Sequence, residues 1–218
     1  MCAADRFLIY DRIQYTKKGW INRNRICRDG REELISLPLK KNSDYLDIAQ
    51  RQLADTWPRD SVKLKNKVKA SYSAAPFFDE AFDLFCRIVD FPDVNLHRFI
   101  VNSINEVCAH LALPVDIVDG PDSDDPDLKG VERVINLCQA YDADQYLNPV
   151  GGLDLYSDRD FSAAGVGLQF LEMNDLLYEQ NHDGFIPSLS ILDVMMFNEI
   201  EKVRQWALHD YLLLPPKM

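Results

Sequence analysis

Long apolar runs are missing from this chain of 218 residues. No stretch approaches the ~18 apolar residues that a membrane helix needs, so no membrane span is expected. The start, Met1-Cys2-Ala3-Ala4-Asp5-Arg6, has no hydrophobic region of the signal-peptide kind. The five cysteines, Cys2, Cys27, Cys86, Cys108 and Cys138, are widely spaced and odd in number. They show no zinc spacing, and a disulfide framework is not expected. Cys86, Cys108 and Cys138 fall on apolar faces of predicted helices, as buried thiols do. The acidic run from Asp119 to Asp127 lacks the alternating ligands and closing glutamate of a calcium loop. No metal cluster and no nucleophile–histidine pair can be read anywhere, and no cofactor is named by a motif. The expected compartment is the cytoplasm.

What is present is an ordinary globular composition, 47% hydrophobic and 27% charged, with its charge unevenly placed. The net charge is −11, yet the first 70 residues carry 16 Lys and Arg against 9 Asp and Glu, a net of +7. The remaining 148 carry 8 against 26, a net of −18. Such a chain does not coat nucleic acid broadly, though it can hold a phosphate locally. RNA binding through Arg23-Asn24-Arg25 and the lysine-rich helix below is weakened by that acidic remainder.

Phe7-Leu8-Ile9-Tyr10 is a short apolar run of β-formers that ends on Asp11. In open α/β sheets ligands gather beyond the carboxyl ends of the strands, which makes Asp11 a candidate acid, base or hydroxyl holder. The loop after it crowds Lys17, Lys18, Trp20, Asn22, Arg23 and Asn24 together, and few of these side chains are core formers. A solvated basic hairpin is the plain alternative; a site for an anionic ligand is the preferred reading. Lys17 and Lys18 would meet phosphate as point charges and Arg23 bidentately. Trp20 would stack on a sugar or base, with Asn22 and Asn24 orienting hydroxyls.

Asp29-Gly30 signals a hairpin between strands over 21–27 and 33–39. Lys40-Lys41-Asn42-Ser43 reads as a polar exit, and 47–53 as either a short strand or an irregular segment. Pro58 suits the start of a helix over 59–73, whose four lysines (63, 65, 67 and 69) read as a solvated face. Phe78, Ala81, Phe82, Phe85, Ile88 and Val89 mark an amphipathic helix. Asn95 can cap the next, with Leu96, Ile100, Ile104, Val107, Cys108 and Leu111 inward. Phe82 and Ile104 are expected in the core, and His97 and His110 are read as structural.

Beyond residue 113 come a strand over 115–118, the acidic loop, and a helix with Val131, Val134, Ile135 and Cys138 inward. Glu132 and Arg133 fall off its apolar face. A strand over 144–147 follows, and this strand–helix–strand order suggests parallel pairing. Gly151 and Gly152 lie just past that strand, where backbone amides can form an anion nest and, with Asn148, close the far wall of a cleft. They belong to neither a GxGxxG nor a Walker loop, so an ordinary tight turn explains them equally well. Ser157 with Asp160, and Ser190 with Asp193, have capping-box spacing, which accounts for both pairs without chemistry. His182 sits in a polar loop and can titrate near neutrality as a general base, although most loop histidines do not. A strand over 166–171 and a terminal helix over 199–209 complete the reading.

Several blocks together resemble the WbqC-like family: Ala4 to Asp11, Gln14 to Asn24, Gly130-Val131-Glu132-Arg133, Tyr146 to Gly152 with Leu155-Tyr156, and Phe185 to Asp193. They run over nearly the whole chain in family order. The family is associated with bacterial O-antigen and surface-polysaccharide gene clusters. The resemblance implies an enzyme, a transferase acting on a nucleotide-linked or phosphorylated sugar. A non-catalytic binding or assembly protein using the same pocket is the alternative. The matching blocks add Arg133 and Ser188 to the expected substrate-binding residues, and Asp11 and His182 are the catalytic candidates. The expected fold is α/β with a mainly parallel, nucleotide-binding-like sheet over 1–56 and 114–218, and a helical insertion over 57–113. Family members usually open with a further strand and turn that this chain starts after, so a strand edge or an apolar groove beside Phe7 to Tyr10 is expected, and with it homodimerisation or limited solubility. Asp11-Arg12 replaces a common Asp-Asp, which argues against a two-acid metal site there.

Overall fold

A computed structural model describes residues 1–43, 45–120, 124–125 and 127–217. Part of the acidic run expected as an exposed loop, at 121–123 and 126, lies outside the described residues. In chain order the elements are β1 (Arg6–Ile9), β2 (Arg23–Arg28), β3 (Arg31–Ser36), α1 (Trp57–Tyr72), α2 (Phe78–Val89) and α3 (Leu96–His110). Then come β4 (Asp116–Asp119), α4 (Gly130–Ala140), β5 (Gln145–Pro149), α5 (Asp158–Ala163) and β6 (Gly167–Met173). The last are α6 (Ile191–Phe197), α7 (Ile200–His209) and β7 (Tyr211–Leu214). No described helix is long and apolar enough to cross a membrane.

The chain divides into two compact units. The first takes Met1–Ile9, Val115–Asp175 and Trp206–Met218; the second takes Tyr10–Pro114 and Leu176–Gln205. The three helices predicted over 57–113 share the second unit with the β2–β3 hairpin.

In the first unit, β1 and β4 pair in parallel, Phe7 opposite Ile117 and Leu8 opposite Val118. A second sheet sets β5 parallel to β6, joined through α5, and β7 antiparallel on the far edge of β6. Its core is Phe161, Phe170, Leu168, Val166, Val134 and Cys138. Tyr146 stacks on Phe161 with ring centroids 5.3 Å apart, and Tyr156 meets both rings edge-on. Aromatic contacts of this kind add to the area term, so Phe161 anchors this core.

In the second unit, β2 and β3 form an antiparallel hairpin whose turn is Asp29 (φ 51°) and Gly30 (φ 69°). Two successive left-handed residues make the turn that matches strand twist, as the Asp-Gly pair signals. Trp57, Leu53, Leu96, Phe99, Val89, Ile48 and Tyr15 make the core here, Trp57 meeting Phe99 edge-on at 5.7 Å. Asn95 caps α3 by accepting from the Arg98 amide. The undecided segment 47–53 is a single 3-10 turn, Ile48–Gln50, flanked by bridges from Gln14 to Asp47 and from Leu39 to Leu53.

The architecture is mixed α/β, but the mainly parallel, nucleotide-binding-like sheet is corrected to three small sheets of two, two and three strands. The physical reason lies in strand chemistry. Continuous parallel sheets are covered on both faces and need longer apolar runs than β1 or β4 offers. β2 and β3, with Arg23, Arg25, Arg28, Glu32 and Glu33, suit a hairpin with one solvated side. β7 is an addition to the expected elements, four residues that pair with β6 just before two prolines. Phe82 and Ile104 are half-buried, whereas the buried positions of α2 are Ala81, Leu84 and Val89. Phe82 instead stacks on Phe78 at 4.9 Å along the helix surface.

Candidate functional site

A cleft of about 640 Å³ opens in the second unit where the chain enters β2 and leaves β3. Its walls are Tyr15, Lys17 and Asn22 from the loop before β2, and Lys40 to Ser43 with Arg51 from the segment after β3. Backbone bonds hold these walls together: the Leu37 amide donates to Asn22 at 2.8 Å, Lys40 to Gln52 at 2.9 Å and Tyr15 to Leu46 at 3.1 Å. Three lysines and an arginine therefore converge, with no carboxylate among the described lining residues. Lys40 pairs with the exposed Asp55 at 2.8 Å, a surface contact worth little.

Arg51 is the unusual member. It is only 5% exposed and makes no ion pair among the described residues. Its guanidinium lies 4.6 Å over the Tyr15 ring and donates from Nη1 to the Ser43 carbonyl at 3.0 Å. Its Nε is covered and has no hydrogen-bond partner among the described residues. Among the described residues this buried cation is answered by a ring and a carbonyl, and such an arrangement is costly unless an anion joins it.

The residues predicted from sequence divide sharply. Lys17 and Asn22 line the cleft. Asn22 is also bonded internally, its amide nitrogen to the Leu37 carbonyl at 2.8 Å and its oxygen to the Tyr15 hydroxyl at 2.8 Å. Arg23 folds back on its own loop, donating to the Gly19 carbonyl at 2.9 Å and to that of Lys18. Trp20 is 57% exposed and flanked by the guanidinium groups of Arg23 (5.4 Å) and Arg25 (4.8 Å). Asn24 donates to the Ser190 hydroxyl at 3.0 Å, and the Ser190 amide donates to the Arg25 carbonyl at 2.8 Å. Asn24 therefore ties β2 to the start of α6. Lys18 is exposed on the loop. One carboxylate oxygen of Asp11 is covered without a hydrogen-bond partner among the described residues. Ser188 is exposed, with φ at +57°, a left-handed backbone unusual for serine.

Arg133, Asn148, Gly151 and Gly152 belong to the first unit. Arg133, expected off the apolar face of α4, is buried, and Asp124 accepts from two of its guanidinium nitrogens. Asn148 donates to the Tyr146 hydroxyl at 3.3 Å. A Cβ at Gly152 would come within 2.9 Å of the Asn148 side chain, so glycine there keeps room for that amide.

A second cleft in the second unit, about 910 Å³, is lined by Tyr178, Phe185, Phe197, Glu179, Asp183 and His182, among others. Beneath it Asp193 is fully buried. Its carboxylate accepts from the Tyr72 hydroxyl at 2.7 Å, the Tyr178 hydroxyl at 2.7 Å and the Gln180 amide at 3.1 Å. Gln180 also closes its own loop, donating to the Ile186 carbonyl at 3.0 Å and accepting from the Ile186 amide at 2.8 Å. Burial, and then the Asp193 charge, push the Tyr72 phenol well above its ordinary range. Burial and then the hydrogen bond to Asp193 do the same to Tyr178. Both phenols are thus neutral donors.

The WbqC-like protein family matches residues 1–205 of this sequence. The chain belongs to the WbqC-like family. A relative, the uncharacterized protein Rv1507c of Mycobacterium tuberculosis, is 29% identical over 199 residues, covering 89% of this chain and 84% of the relative. No solved structure matches the chain. Among this family member's described residues, no group of three or more His, Cys, Asp or Glu could hold a metal ion.

Sequence reasoning missed Arg51, Lys40, Lys41 and Asp193 as site or support residues. Lys40-Lys41 directly after a strand was a usable signal, since strand ends collect ligand contacts. Arg51 gave none, because its burial depends on a fold that periodicity does not reveal. Asp193 was hidden by the capping reading: Ser190 does cap α6, but Asp193 is wholly inside.

Proposed function

We propose that this WbqC-like chain binds the phosphate of a nucleotide-linked or phosphorylated sugar in the basic cleft. On this reading it acts as a transferase in bacterial surface-polysaccharide (O-antigen) biosynthesis. The observation that carries the reading is Arg51, a buried guanidinium without an anionic partner among the described residues, beside Lys17, Lys40 and Lys41. Arginine offers a planar fork suited to phosphate oxygens, and the lysines add point charges. In sugar transfer from a nucleotide the leaving diphosphate gains negative charge, and cations already fixed in place lower that barrier without reorganising. Arg23 and Asn24, as placed, serve the loop and the α6 start, so the phosphate role passes to Arg51 and the lysines. Asp11 is the group proposed for proton transfer; His182 lines the other, acidic cleft.

A non-catalytic binding protein is the second reading. It is favoured by the absence of a carboxylate or histidine among the described residues lining the basic cleft. Calorimetric titration with a panel of uridine and thymidine diphosphate sugars tests both, alongside assays for release of the nucleotide. Binding that is lost in Arg51→Gln, with nucleotide released on adding an acceptor, supports the transferase. Binding without release selects the second reading. Wild-type affinity in Arg51→Gln would remove the cleft from either.

A further inference from the structure

We propose that the cleft lined by Tyr178, Phe185 and Phe197 binds a protonated amine carried on a sugar-sized body, separately from the phosphate cleft. Its chemistry is the reverse of the basic cleft's. Glu179 and Asp183 line it, and no lysine or arginine does among the described residues. A phosphate is repelled there, and a cation is drawn in. Three aromatic rings supply faces that attract cations as well as apolar surface, the combination by which aromatic cages hold ammonium groups.

His182 adds direction. Its Nδ1 lies 3.1 Å from the Asp183 carbonyl oxygen, which only accepts, so in the neutral ring Nδ1 carries the proton and Nε2 the lone pair. That Nε2 is covered and has no hydrogen-bond partner among the described residues. The Glu179 and Asp183 carboxylates that line the cleft accept only, and the covered Nε2 lone pair of His182 has no donor among the described residues. The wall is also set in advance: Tyr178 and Gln180 are both fixed on the buried Asp193 carboxylate, so little ordering is left to binding.

This cleft is not the other half of the phosphate site. The His182 side chain lies against Gly30 at the closed end of the hairpin, its Cβ, Cγ and Nδ1 within 3.7–3.9 Å of where a Cβ would stand. Asn22, at the open end, lines the basic cleft. A hairpin arm from 22 to 30 spans roughly 25 Å at the usual rise of a strand. One monosaccharide cannot touch both clefts, so the amine belongs to a second ligand or to a distant part of a long one.

The test is calorimetric titration of the full chain with D-glucosamine, D-glucose and N-acetyl-D-glucosamine, which differ in whether the ring carries a cation. Glucosamine is expected to bind about tenfold more tightly than the other two, in line with a cation–π contact reinforced by charge. The double variant Glu179→Gln/Asp183→Asn should lose that preference at an unchanged melting temperature, and Phe185→Ala should weaken all binding. Arg51→Gln should leave the preference intact, so loss of the phosphate reading and loss of this one are separable. Equal affinity for the three sugars would overturn the proposal in favour of a neutral carbohydrate site. Absence of binding by glucosamine, or a preference that survives the double variant, would also overturn it.

Discussion

Two buried carboxylates, one in each unit, are satisfied in opposite ways. In the first unit Asp124 is answered by a full charge, the Arg133 guanidinium, with side chains only 3% and 9% exposed. In the second, Asp193 is answered by two phenols and an amide, all neutral. The second unit also holds Arg51, a buried cation with no carboxylate beside it among the described residues. The first arrangement closes its charges on each other and offers little to a ligand. The second leaves a negative centre under one cleft and a positive one beside the other. Proteins that keep such uncompensated groups usually trade stability for binding.

The contrast predicts its largest effect where the pair is closed. Arg133→Ala should destabilise by about 3–5 kcal/mol, because it strands a buried carboxylate without its cation. Denaturant melts of the two proteins measure this. A loss under about 1 kcal/mol would mean that water reaches Asp124 and that the pair is not closed at all.

Asp193→Asn should cost less, about 1–3 kcal/mol, since the amide oxygen still accepts on one side and only one side loses its acceptor to an NH2 group. An equal or greater loss than Arg133→Ala would erase the distinction between the two carboxylates. A pH series sharpens the same point. In the fold both Tyr72 and Tyr178 ionise above the ordinary 10.0, through burial first and Asp193 as well. The unfolded chain gives up those protons at lower pH than the fold does. Their stabilisation is therefore whole below about pH 10 and drains away as the pH rises further. Tyr72→Phe/Tyr178→Phe should flatten that alkaline fall; an unchanged slope would assign it to other groups.

The elements were largely legible in the sequence, and the arrangement was not. The 3.6-residue spacing in 78–89, the Asn95 cap and the Asp29-Gly30 turn are local signals, and each gave the right element. Sheet partners depend on contacts between distant segments, which is why three small sheets replaced one. Of the dense loop from Lys17 to Asn24, Lys17 and Asn22 line the basic cleft. The loop's composition could not tell Lys17 from Arg23 and Asn24, whose hydrogen bonds hold the loop and α6. Arg133 looked solvent-facing by helix spacing because its partner lies in an acidic loop that reads as exposed.

The smallest expected effect on stability belongs to Arg51. Arg51→Gln removes a buried cation that, among the described residues, has gained a ring contact and one carbonyl bond, while glutamine can still donate to Ser43. Desolvation of the guanidinium and its local contacts nearly offset each other, so the change in unfolding free energy should stay within about 1 kcal/mol of zero. Its effect on ligand should be far larger: a phosphate-bearing sugar should bind at least about tenfold more weakly, the loss expected when a charge-assisted bond is removed. Lys41→Gln, at an exposed position, should weaken the same ligand less and mainly at low salt, because water and ions screen it. Melting and titration on the same three proteins give both quantities. A large stability loss in Arg51→Gln with unchanged affinity would make Arg51 a scaffold residue, and the two units would then handle buried charge alike.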